Sequence, residues 1–112
     1  MLLIRNATII NEGKSFRGSL VVKNDKIDTI YTGVVPEEIY GRAQIIEADN
    51  LYLIPGVIDD QVHFREPGLS HKGTIQSESR AAIAGGVTSY MEMPNTNPQT
   101  ITIDAWNRKN EF

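Results

Sequence analysis

The sequence predicts an α/β chain in two parts. Residues 1–56 read as part of a small β-sandwich domain, and residues 57–112 read as the first βαβα segment of a (β/α)8 barrel of the TIM type. Three observations predict this. Before Pro55-Gly56, short apolar and β-branched runs alternate with turns rich in Asn, Asp and Gly, as in small sheet domains. After Pro55-Gly56 the rhythm becomes strand, helix, strand, helix, the order of a parallel sheet. At the junction, residues 57–65 form a run whose alternate positions are almost all polar or charged.

Taken in order, residues 2–10 are a strand and Asn11 to Ser15 a turn. Residues 18–23 and 26–32 form a hairpin through Asn24-Asp25, two residue types that tolerate positive φ. Gly33, Pro36 and Gly41 punctuate a loop with one helical turn. Residues 43–48 are a strand, Asp49-Asn50 a turn, and Leu51 to Ile54 lead into Pro55-Gly56. Beyond the strand at 57–65, Glu66 to Ser70 form a loop. The spacing then predicts a helix over 74–84, with Ile75, Ser79, Ala82 and Ile83 on one face and Gly85-Gly86 at its end. Residues 87–93 are the next strand, 95–100 a polar loop, and 101–112 the beginning of a second helix.

Composition narrows the function classes. At 112 residues the chain can bury one small core, but a complete barrel takes about 250 residues. The N-terminal part of a longer enzyme is therefore expected. The formal charge is −3 and no Lys or Arg run occurs, so no nucleic-acid partner is expected. The absence of cysteine excludes thiolate and disulfide chemistry. There is no signal-peptide pattern at Met1 to Arg5 and no apolar run near the ~18 residues of a spanning helix. A cytoplasmic protein without a membrane partner is expected.

In residues 57–65, Val57, Asp59, Gln61, His63 and Arg65 share one face, and Ile58, Asp60, Val62 and Phe64 the other. Two structures fit this pattern. One is an antiparallel strand with a wet face. The other is a parallel barrel strand that packs its outer face on helices and delivers polar groups to a site at its C-terminal end.

Asp59-x-Gln61-x-His63-x-Arg65-Glu66-Pro67-Gly68 resembles the first-strand signature of dihydroorotases in the amidohydrolase superfamily, usually Asp-x-His-x-His-x-Arg-Glu-Pro-Gly. Met93-Pro94-Asn95-Thr96 is similar to that family's second-strand motif. The resemblance is strong over 51–98 and weak over 1–50. It implies a barrel enzyme that interconverts N-carbamoyl-L-aspartate and L-dihydroorotate in pyrimidine synthesis with zinc, one or two ions. His63 would be a metal ligand. Gln61 stands where the family has its first His, and an amide oxygen is a poorer zinc ligand than imidazole. A weakly bound metal, a single metal or lost catalysis are the three consequences open. Arg65 and Asn95 would bind the substrate carboxylate, for which a guanidinium fork is well shaped. Asp59 would support a ligand His or cap the barrel bottom, and Glu66-Pro67-Gly68 would shape the loop over the site. His71 and Lys72 read as exposed polar residues, Glu92 as structural.

The resemblance places no catalytic residue within this chain. The general base, the other His ligands and the bridging carboxylate would lie beyond residue 112. The rival readings are an allantoinase- or hydantoinase-type amidohydrolase, and a silent homologue serving as a structural partner of aspartate transcarbamoylase. The small-molecule substrate would carry a carboxylate, and a homo-oligomer is expected.

Overall fold

A computed structural model describes residues 1–111, so the final residue of the helix expected over 101–112, Phe112, lies outside the described residues. The chain divides into two compact units, Met1–Pro55 and Gly56 onward.

The first unit is a five-stranded sheet. Its elements are β1 (Leu2–Asn11), β2 (Lys14–Lys23), β3 (Lys26–Tyr31), a short helix α1 (Glu37–Tyr40), β4 (Gln44–Glu47) and β5 (Tyr52–Leu53). The order is β3-β2-β1-β4; the two hairpin pairs are antiparallel, while β4 and β5 both run parallel to β1. Asn24 and Asp25 take φ of 47° and 65°, and the hairpin expected there forms. The turn expected over 11–15 is tighter. Only Glu12 and Gly13, at φ 49° and 72°, lie outside the ladder, and β2 starts at Lys14 rather than at residue 18.

A bulge in β1 sets where the core lies. Asn6 sits at φ 62°, and the pairing with β2 shifts between Ile4 and Ala7. Its backbone N–H donates to the buried Ser19 hydroxyl at 3.1 Å, so the irregular donor is satisfied. The extra residue moves the odd-numbered positions of β1 from one face to the other. Leu3 joins Val21 and Val35 in one cluster; Ala7, Ile9 and Ala48 form the second, with Ile4 against them. Asp49 ties the bulge down by accepting from Asn6 Nδ2 at 3.3 Å and pairing with Arg17.

The second unit contains β6 (Val57–Val62), α2 (Ile75–Ala84), β7 (Val87–Glu92) and α3 (Ile103–Lys109). β6 and β7 pair in parallel, so this is a βαβα segment. α2 begins with a capping box in which Thr74 and Ser77 exchange side-chain bonds with each other's backbone N–H. It stops at Gly85, and Gly86 takes φ +88°.

Two expectations about this unit need correction. The first strand ends at Val62, not at residue 65. Asp59 Oδ1 accepts from the Gln61 backbone N–H at 3.1 Å, diverting that donor from the ladder. The register consequently steps from Asp59↔Tyr90 to Val62↔Glu92, with one extra residue on β6. Arg65 then turns the chain at φ 69°. A single unbroken polar face from 57 to 65 does not form. Nor are the expected outer faces fully covered. Phe64 is buried against Tyr90, with ring centroids 4.4 Å apart, but Ile58 is 66% and Ile83 70% exposed. The main packing of α2 is on β7.

Candidate active site

Two loops at the C-terminal ends of β6 and β7 bring two of the singled-out residues, His63 and Asn95, together. The Met93 N–H donates to the Val62 carbonyl at 2.9 Å, so the two strands finish side by side. His63 and Asn95 follow directly, and His63 Nδ1 lies 2.9 Å from Asn95 Oδ1. An amide oxygen only accepts, so the Nδ1 of His63 is the donor; in a neutral imidazole Nε2 then carries the lone pair. His63 is exposed and Asn95 half-buried.

The loops are also joined through backbone. Asn97 N–H donates to the Pro67 carbonyl at 3.0 Å. Gly68 sits at φ +83°, where a Cβ would lie 1.9 Å from the Asn97 carbonyl oxygen, so only glycine fits the crossing. Glu66 is engaged by the following helix. Its Oε2 accepts from the Ile75 N–H at 2.8 Å, placing a carboxylate at the N-terminus of α2. Thus Glu66-Pro67-Gly68 shapes the loop by three different contacts. The second loop is organised by Thr96, which sequence reading did not single out. Its buried hydroxyl contacts the Pro98 carbonyl and the Thr100 hydroxyl, both at 2.8 Å. The available signal was a hydroxyl among prolines, which add carbonyls to a loop without adding donors.

Arg65 is half-buried, and its guanidinium has no ion pair or hydrogen bond among the described residues. It follows His63 by two residues but lies in a left-handed turn, so strand alternation does not set its direction. Gln61 is exposed in the bulge of β6. No hydrogen bond joins Asp59 to His63 among the described residues; Asp59 Oδ1 accepts from the Gln61 N–H. His71 and Lys72 are exposed on the loop. Glu92 pairs with Lys109 of α3, both side chains nearly buried. That pair lines a cavity of about 490 Å³ with Tyr90, Met93 and Trp106, and none of His63, Arg65 and Asn95 borders it.

A zinc site takes about four ligands, with imidazole nitrogen among the preferred ones. His63 fits one such position, since its Nε2 has no hydrogen-bond partner among the described residues and the residue is exposed. No group of three or more His, Cys, Asp or Glu is assembled among the described residues. The chain therefore offers one good ligand and not a full donor set.

The fold resembles solved hydrolases over nearly its whole length. An L-hydantoinase (dihydropyrimidinase) from Arthrobacter aurescens matches with a TM-score of 0.85 at 26% identity, covering 98% of this chain and 24% of that one. A D-hydantoinase matches at 0.76 and 27%, over 96% and 24%. These likenesses define the class: the start of a (β/α)8 barrel of the cyclic amidohydrolase type, preceded by part of a small β-sandwich domain. The dihydro-orotase-like family model matches residues 51–109. Proteins named dihydroorotase from Aquifex aeolicus and Ehrlichia chaffeensis are 40% and 44% identical over 99 residues each, covering 87% and 83% of this chain. One from Fusobacterium nucleatum is 34% identical over 112 residues. The chain belongs to the dihydro-orotase-like family. It spans 22–25% of the length of these relatives.

Proposed function

We propose that this chain is the N-terminal part of a dihydroorotase, a metal-dependent hydrolase that interconverts L-dihydroorotate and N-carbamoyl-L-aspartate in pyrimidine synthesis. The observation that carries the reading is the His63–Asn95 contact, which joins the two strand-end motifs. In this reading His63 supplies one zinc ligand through Nε2. Arg65, with its guanidinium unpaired, and the amino end of Asn95 bind the exocyclic carboxylate of the substrate. A guanidinium fork and an amide together offer a carboxylate two or three hydrogen bonds, the charged ones contributing about 1.5–3 kcal/mol each. Zinc, when bound, activates a water and polarises the ring carbonyl. In the hydrolytic direction the water oxygen joins the carbonyl carbon, the ring C–N bond breaks, and the nitrogen takes a proton. The group that moves this proton belongs to the part of the enzyme outside this chain.

The hydantoinase structures share the fold at 26–27% identity. The relatives named dihydroorotase are nearer in sequence, and Arg65 with Asn95 suits a substrate with an exocyclic carboxylate. The test is turnover by the whole protein. Dihydroorotate should be preferred over dihydrouracil and allantoin by 10²-fold or more in kcat/KM; equal or reversed preference overturns the reading.

A second reading rests on Gln61. The amide at this position favours a silent homologue that serves as a structural partner of aspartate transcarbamoylase. Whole protein that shows no turnover with zinc supplied, yet co-elutes with aspartate transcarbamoylase in gel filtration, would select it. The catalytic reading expects a homo-oligomer instead.

A further inference from the structure

We propose that Asn95 is a positioning residue for His63 as well as a substrate contact: its Oδ1 holds the imidazole in the Nδ1–H form, leaving Nε2 free, and its amino group is thereby left as the donor for an anionic ligand. The substrate half of this statement rests on the reading given under Proposed function; the positioning half does not.

A neutral imidazole has one lone pair to offer, and the bond made by one ring nitrogen decides which nitrogen offers it. At 2.9 Å from an acceptor, Nδ1 of His63 is committed as a donor. Nε2 is then the only nitrogen able to bind a metal or accept a proton. The amide is oriented by the same contact. Its two ends differ, one accepting and one donating. With Oδ1 on His63, the end left over is the amino group, which has no partner among the described residues. Such an end complements a carboxylate and not an ammonium. The loop that carries Asn95 is braced from both sides. Pro94 precedes it, the Thr96 N–H returns to the Pro94 carbonyl at 2.9 Å, and the buried Thr96 hydroxyl is spent on Pro98 and Thr100. A braced amide can hold an exposed ring that the strand no longer holds, because β6 has already ended at Val62.

Two substitutions separate the roles. Asn95→Asp keeps an acceptor for Nδ1–H and loses the donor. Asn95→Ala loses both. The whole protein is labelled with ¹⁵N-histidine, stripped of metal and held at about pH 8.5, where an ordinary imidazole is neutral. The His63 signals are assigned by their loss in His63→Gln. Wild type and Asn95→Asp should show the Nδ1–H tautomer, and Asn95→Ala should show a mixture or the Nε2–H form. Zinc affinity, measured by chelator competition, should fall about 10-fold or more in Asn95→Ala and stay within about 3-fold of wild type in Asn95→Asp. KM for dihydroorotate should rise in both. An Nε2–H tautomer in wild type, or an unchanged tautomer and zinc affinity in Asn95→Ala, overturns the positioning role. The spectra and the zinc titration use no substrate. The predicted tautomers without dihydroorotate turnover would therefore sustain the positioning role and sink only the dihydroorotase reading.

Discussion

Gln61 and Arg65 depart from what strand alternation implies. Gln61 lies in the bulge of β6, where its N–H serves Asp59 rather than the sheet. As an amide it offers zinc a weaker donor than the imidazole usual at that position of the family motif. Gln61→His should raise zinc content or affinity in the dialysed whole protein; equal values in both would show that position 61 does not limit the metal. Arg65 sits at φ 69°, a region that disfavours a long side chain. Residues held in such sparsely populated backbone regions cluster at ligand sites. Replacement by glycine removes the side chain while suiting the turn. Arg65→Gly should keep the melting temperature of the whole protein within a few degrees while lowering kcat/KM for dihydroorotate by about 10²-fold or more. A matching collapse of the melting temperature would make Arg65 a loop-building residue. Asn95 was legible as a strand-end residue of the second motif, but its bond to His63 was not. That contact joins residues 32 apart, and no local pattern encodes it.

At the level of elements, the loops after β6 and β7 hold one another. Gly68 is the tightest point, since it combines positive φ with backbone contact. Gly68→Ala should destabilise the whole protein by more than about 2 kcal/mol in urea unfolding. A change under 0.5 kcal/mol would show that the two loops do not cross this closely. Thr74 caps α2 and fixes where the helix leaves the loop. Thr74→Ala should cost about 1 kcal/mol and Thr74→Ser much less; equal losses would deny the cap. The hairpin at Asn24-Asp25, the parallel βαβ order and the span of α2 were legible in the sequence because turn chemistry and periodicity are local. The bulges at Asn6 and at Asp59 to Val62 were not. Each depends on a side chain, Ser19 in one case and Asp59 in the other, that captures a backbone N–H from the ladder. The second of these is also why the strand expected over 57–65 is shorter.

For the whole molecule, the chain covers about a quarter of its relatives' length and offers a site only in part. Val57 and Ile58 lie exposed on β6, a strand whose described partner is β7 alone. A two-stranded sheet is marginal without further cover, and open edges recruit other chains. The 112-residue chain expressed alone should therefore lack a cooperative melt by circular dichroism and should not turn over dihydroorotate; a sharp transition together with turnover would contradict this. The proposed function has the loops after β6 and β7 read an exocyclic carboxylate beside a metal ligand. It is tested most directly by kcat/KM of the whole protein, wild type and Arg65→Met, on dihydroorotate and on dihydrouracil, which lacks that carboxylate. The expected loss on dihydroorotate is about 10²-fold or more, taking about 1.4 kcal/mol per tenfold. Arg65→Lys should recover part of it, because charge is kept and the fork is lost. On dihydrouracil the loss should be several-fold at most. An equal fractional loss on both substrates would contradict the claim and assign Arg65 to the fold or the metal.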